Sequence, residues 1–157
     1  MKYFIDTEFI ERGPDYPVVL ISIAIVREDG IARYWVSADF DEDIASDWVK
    51  ANVLPHIEGE DRYTNIRIAS ELRDFVGNDK PEFWGYYADY DWVVTAQLFG
   101  TMMDLPKGWP MYCRDIKQLC DDKGNPELPK QGKGEHNALA DARWNMIAYK
   151  FLTMEAR

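Results

Sequence analysis

Asp6 and Glu8, in Lys2-Tyr3-Phe4-Ile5-Asp6-Thr7-Glu8, are the first residues of this chain whose type and spacing suggest chemistry. On an extended strand, residues two apart project from the same face, so these carboxylates stand side by side. Like charges at the end of an apolar run repel each other and lose hydration. A divalent cation, which takes hard oxygen donors, would relieve both penalties. An isolated Asp-x-Glu also fits two solvated residues opening a loop, and the tripeptide alone does not separate the readings. Two further acid-bearing segments bear on the choice. Asp89 and Asp91 lie in Tyr86-Tyr87-Ala88-Asp89-Tyr90-Asp91-Trp92, where an aromatic strand is expected to turn into a helix. His136 and Asp141 lie in His136-Asn137-Ala138-Leu139-Ala140-Asp141, at the expected start of a C-terminal helix. Each also has a plain structural use: Asp89 as an N-cap, Asp91 and Asp141 as first-turn acids, and His136 as an exposed loop residue.

The elements that would carry these residues follow from the apolar patterning. Tyr3, Phe4 and Ile5 read as a strand buried in mid-sheet. Val18 to Val26 is a β-branched run of central-strand type, Glu28-Asp29-Gly30 is a hairpin turn, and Ile31 to Ser37 returns as a third strand. A helix is expected from Ile44 to Val53. A second runs to Val76, with Thr64 as N-cap, Ile68, Leu72, Phe75 and Val76 inward, and Gly77 as its stop. Glu82 to Tyr86 should be a short strand and Asp89 to Phe99 a helix with Val93, Val94, Leu98 and Phe99 facing the core. A last short strand near Tyr112 and a helix from Ile116 to Asp122 precede a polar loop over 124–134. The C-terminal helix from Asn137 to Met154 is expected to bury Ala140, Trp144, Ile147, Phe151 and Met154, spaced at helical intervals. Residues 1–157 read as one α/β domain.

With 46% hydrophobic and 14% aromatic residues, the chain has the material for a core. No apolar run approaches the ~18 residues of a membrane span, and the N-terminus lacks an apolar stretch of signal-peptide type. A cytoplasmic location is expected. Cys113 and Cys120 lack metal-site spacing and read as small packing residues. The net charge of −10 argues against a protein that coats nucleic acid by charge alone. It leaves room for an enzyme that grips a few nucleotides through bound metal. Acids dominate residues 38–61, whereas 107–133 is richer in bases, among them Lys130 and Lys133, for which a solvated loop is the first reading and contact with a phosphate chain the second.

Asp-x-Glu, a central Asp in aromatic context, and His with Asp five residues later together resemble the DEDDh class of 3′-5′ exonucleases. Tyr3-Phe4-Ile5-Asp6-Thr7-Glu8-Phe9-Ile10-Glu11, Leu20-Ile21-Ser22-Ile23, Gln97-Leu98-Phe99-Gly100 and His136-Asn137-Ala138-Leu139-Ala140-Asp141-Ala142-Arg143 are similar to the small polyadenylate-specific exoribonucleases of mycobacteria. The resemblance implies a ribonuclease-H-like fold: a mixed central sheet, with an antiparallel meander of strands 1–3 plus shorter parallel strands, flanked by helices. It implies two Mg²⁺ or Mn²⁺ ions held by Asp6, Glu8, Asp91 and Asp141, with His136 as general base. Asp91 is preferred to Asp89 because the family acid directly precedes the position of Trp92. Phe9, Ile10, Glu11, Ser22 and Trp92 would contact the substrate, the 3′ end of single-stranded, poly(A)-like RNA. AMP or another nucleoside monophosphate would be the product. For Trp92, helix–sheet packing is the competing use. A homodimer is implied as well, with Trp35, Trp48, Trp84 and Trp109 as interface candidates. A DNA exonuclease of the same fold, or a non-catalytic binding module, are the alternatives.

Overall fold

The computed structural model describes residues 1–132 and 134–154; Lys133 lies outside the described residues. Strand β1 (Lys2–Ile10) is the middle of a five-stranded sheet. Strands β2 (Val19–Arg27) and β3 (Ala32–Val36) follow it antiparallel, and β4 (Glu82–Gly85) and β5 (Arg114–Asp115) lie parallel on its other side, giving the order β3-β2-β1-β4-β5. The expected meander with shorter parallel strands is the observed sheet. Gly30, at φ 93°, makes the β2–β3 turn in a conformation that a side chain would strain.

Both faces of the sheet are covered, which is why β2 reads as a continuous apolar run rather than an alternation. On one face Tyr3, Ile5, Ile23, Ile25 and Trp35 pack against helix α2 (Asn65–Val76) and helix α3 (Asp89–Gln97). Thr64 caps α2 by accepting the Arg67 N–H, and Gly77 ends it at φ 62°. On the other face Phe4, Ala24, Val26 and Trp84 meet α4 (Ile116–Asp122) and α5 (Ala138–Met154). A smaller cluster joins Ile10 and Ile21 to Ala45, Val49 and Val53 around the short helix α1 (Asp47–Asn52). The helix expected from Ile44 is broken, because Ser46 caps α1 by accepting the Val49 N–H.

Four expectations are corrected. Helix α5 buries Ala138, Ala142, Asn145, Ala148 and Leu152, while Ile147 and Met154 are exposed. The alanines let the helix lie close to the strands, so its large residues flank the contact instead of filling it. The N-cap of α3 is Ala88, not Asp89; Asp115 Oδ2 accepts the Ala88 N–H at 2.8 Å and leaves Asp89 exposed. Trp35, Trp84 and Trp109 are buried, so of the four surface candidates only Trp48 is open, at 55% exposure. Val93, expected in the core, is likewise exposed.

Candidate active site

The site forms where β1 loses its neighbours. Pairing of β1 with β4 covers only Lys2↔Glu82, Tyr3↔Phe83 and Phe4↔Trp84. Beyond it the chain bends through 86–88, with Tyr87 at φ 55°, and packs back on Gly85, where a Cβ would stand 2.8 Å from the Ala88 Cβ and 3.5 Å from the Ile5 carbonyl oxygen. Glycine therefore lets α3 start against the open edge of β1. Side chains take over the hydrogen bonds along that edge. Asn145 Nδ2 donates to the Ile5 carbonyl at 2.9 Å, and Asp91 Oδ1 accepts the Thr7 N–H at 2.9 Å and the Thr7 hydroxyl at 2.5 Å. On the β2 side, Glu8 faces Ser22 but Phe9 faces Leu20, so a bulge ends the regular pleat directly after Glu8.

Asp6 and Glu8 share the face covered by α5, as their spacing requires. Helix α5 supplies Asp141 from its first turn. Asn137 caps that helix, its Oδ1 accepting the Leu139 and Ala140 N–H groups at 3.1 Å each, and its Nδ2 donates to the His56 carbonyl at 2.8 Å. His136 precedes the cap in a left-handed conformation at φ 68°. Its N–H donates to Asp141 Oδ2 at 3.1 Å, and Gln131 Nε2 donates to Asp141 Oδ1. The His136 ring meets exposed Trp48 edge-on, with centroids 5.0 Å apart at 81°.

Asp6, Glu8 and Asp141 can each offer a carboxylate oxygen such that all lie within 4.8 Å of one another. Asp91 lines the same cleft, of about 350 Å³, as do Phe9 and His136. Burial and mutual repulsion push every one of these acids upward. Asp6 is raised well above the ordinary carboxylate range, by burial first and then by Asp91, Asp141 and Glu8. Burial, with Asp141 and Asp91, raises Glu8 to about 8. Asp91 rises to about 6 through burial, although the two Thr7 hydrogen bonds oppose it. Asp141 also reaches about 6, with the His136 amide opposing. None of the ion pairs among the described residues involves these four acids.

The donor set fits a divalent cation. All its atoms are hard oxygens of the kind Mg²⁺ and Mn²⁺ take, and they lie close enough together for side-chain adjustment to gather them on one ion. Cysteine plays no part: Cys120 is buried against Ile116 and Leu152, and Cys113 is half-buried beside the other core.

The four acids and the one base expected from the sequence therefore converge, and the substrate positions divide. Phe9 is half-buried on the cleft wall and stacks on Tyr90, with centroids 5.4 Å apart at 12°. Ser22 lies across from Glu8 but is buried outside the cleft lining, its hydroxyl without a partner among the described residues. The structure does not bring Ile10, Glu11 or Trp92 to the cleft. Ile10 follows the bulge and turns into the small α1 cluster, and Glu11 is exposed, with Oε1 accepting the Gly13 N–H at 2.8 Å. Trp92 is one helical step of about 100° past Asp91, which carries its ring under the sheet, 5.0 Å from Phe83. Lys130 is exposed. Thr7, Gln131 and Asn145 were not anticipated. Asn145 had a signal, since it stands four residues after Asp141 on one helical face.

Residues 1–153 match the family described as the 3′-5′ exoribonuclease Rv2179c-like domain. The 3′-5′ exoribonuclease Rv2179c of Mycobacterium tuberculosis (strain H37Rv) is 38% identical over 159 residues, covering 98% of this chain and 94% of that one. Its counterpart in strain CDC 1551 matches to the same extent. Among solved structures, zinc-bound E. coli exonuclease I with single-stranded DNA superposes with a TM-score of 0.68 at 14% identity, over 99% of this chain and 40% of that one. The Mg²⁺- and Mn²⁺-bound form of S. pombe Pop2p gives 0.58 at 13% identity, over 99% and 83%. This chain thus spans about 40% of the exonuclease I length. At such identities the likeness is one of fold, which is ribonuclease H-like.

Proposed function

We infer that this chain, which belongs to the Rv2179c-like 3′-5′ exoribonuclease family, hydrolyses single-stranded RNA from its 3′ end at the carboxylate cleft, releasing 5′-nucleoside monophosphates. The observation that carries the reading is the Asp6–Glu8–Asp141 triangle, within 4.8 Å and without a paired cation among the described residues. Asp6, Glu8, Asp91 and Asp141 would hold two Mg²⁺ or Mn²⁺ ions, which would supply charge stabilisation to the attacking and leaving oxygens.

The rest falls to the chain itself. His136 accepts the proton of the water that attacks the terminal phosphorus, a role suited to imidazole at neutral pH. The hydrogen bond from its amide to Asp141 keeps base and carboxylate in a set relation. Phe9, braced by Tyr90, supports the terminal base, a contact of ~1–3 kcal/mol per base in comparable platforms. The exoribonuclease family supports RNA over DNA; adenylate tracts as the preferred substrate, a cytoplasmic location and a homodimer are part of the proposal on the sequence resemblance alone. No helix among the described residues is long and apolar enough to cross a membrane.

The test is parallel digestion of 5′-labelled oligo(A), oligo(U) and oligo-dA with Mg²⁺ or Mn²⁺, with product analysis. Stepwise shortening from the 3′ end, fastest on oligo(A), with nucleoside 5′-monophosphates as product, is the expected result. Fastest loss of oligo-dA would replace the RNA assignment by a DNA one.

A further inference from the structure

Thr7 sits between the first two acids but points away from them, since neighbouring side chains on a strand alternate in direction. It is buried, at 5% exposure, and both of its donors converge on one atom: Asp91 Oδ1 takes the Thr7 N–H at 2.9 Å and the hydroxyl at 2.5 Å. Asp91, itself 6% exposed, has no other hydrogen-bond donor among the described residues. It comes from a different element, α3, which approaches β1 closely where Gly85 leaves no side chain between Ala88 and the Ile5 carbonyl. A buried carboxylate held at one oxygen by two donors cannot rotate freely about its terminal torsion, and its second oxygen is thereby left to the cleft.

We propose that Thr7 is a positioning residue that clamps Asp91 Oδ1 so that its other oxygen is aimed at the ion position Asp91 serves. The inference rests on the metal-dependent function proposed above. It assigns to the middle residue of Asp-x-Glu a part that neither carboxylate can play. The N–H would be supplied by any residue here except proline, so the choice of side chain lies in the hydroxyl. Serine could also supply it, but threonine adds the β-branch that suits a central strand and restricts χ1 to few rotamers.

The discriminating pair is Thr7→Val, which keeps shape and branching and removes only the hydroxyl, and Thr7→Ser, which keeps the hydroxyl. Mn²⁺ is titrated against the melting temperature in the absence of RNA, and oligo(A) turnover is then measured at fixed Mn²⁺. Removal of an outer partner of a metal-ligating group typically weakens metal binding 10–100-fold. Thr7→Val should therefore need about that much more Mn²⁺ for half of the thermal rise, with a lower kcat and an unchanged KM for RNA. Thr7→Ser should stay within about threefold of wild type. In an Asp91→Asn background, Thr7→Val should add no further loss of Mn²⁺ affinity. A Thr7→Val protein that melts lower without metal but shows wild-type Mn²⁺ half-saturation and kcat would make Thr7 a packing residue and overturn the proposal alone. A wild type with neither Mn²⁺-dependent hydrolysis nor a thermal rise would overturn the function and this inference together.

Discussion

Replacing Glu8 by glutamine should make the metal-free protein more stable while removing its activity. Glu8 is raised from 4.5 to about 8 by burial and by the nearby Asp141 and Asp91. Between those two values the folded chain binds more protons than the unfolded one, so metal-free stability falls as pH rises through the window. Glutamine abolishes that dependence at this position. At about 1.36 kcal/mol per pKa unit, and allowing for relaxation as the neighbouring acids titrate, the gain at pH 7.5 is about 2–4 kcal/mol. For a chain of this size that is roughly 5–15 °C in Tm. The sign has a signature: the advantage should be close to zero near pH 4.5, grow with pH and level off above about 8. Thermal melts of both proteins in chelator across this range measure it directly. Saturating Mn²⁺ should then raise wild type more than the variant, because the ion binds only a folded state that retains its carboxylates. A Glu8→Gln protein that melts at or below wild type throughout, or whose advantage ignores pH, would refute the picture of an uncompensated acid cluster.

Two further substitutions separate chemistry from scaffold. His136→Asn should lower kcat by about 10²–10⁴-fold, the range for loss of a general base, yet keep the Mn²⁺-induced thermal rise, since the carboxylates are untouched; single-turnover assays and thermal melts together check it. Asn145→Ala removes the donor to the Ile5 carbonyl and leaves that group buried and unpaired, which should cost about 1–3 kcal/mol in chemical denaturation. A neutral result would mean that water replaces the amide.

Much of this arrangement was legible before the structure, for identifiable reasons. The two-residue period of β1 places Asp6 and Glu8 on one face wherever the strand goes. The helix-start pattern around Asn137 likewise sets His136 on the loop and Asp141 in the first turn. What escaped depends on how elements approach one another. Alanines hold α5 close to the sheet, so its buried stripe differs from that of its largest residues. Asp115, far along the chain, accepts the Ala88 N–H, and α3 starts from Ala88 with no side-chain cap from Asp89. Three tryptophans that resemble surface aromatics in a polar sequence are core residues. Thr7 carried no signal, because its role exists only once α3 delivers Asp91 to the open edge of β1.

The amide of His136 and the carboxylate triangle share a single side chain, Asp141. One group thus belongs both to the charge store and to the loop that carries the imidazole. Whatever stabilises the triangle also steadies the loop, and coupling of this kind is reciprocal in free energy. On the proposed mechanism, a substrate end that orders the loop should tighten the hold of these acids on ions, and bound ions should tighten the hold on substrate by the same factor. The single bond between the His136 amide and Asp141 is where that coupling would be broken.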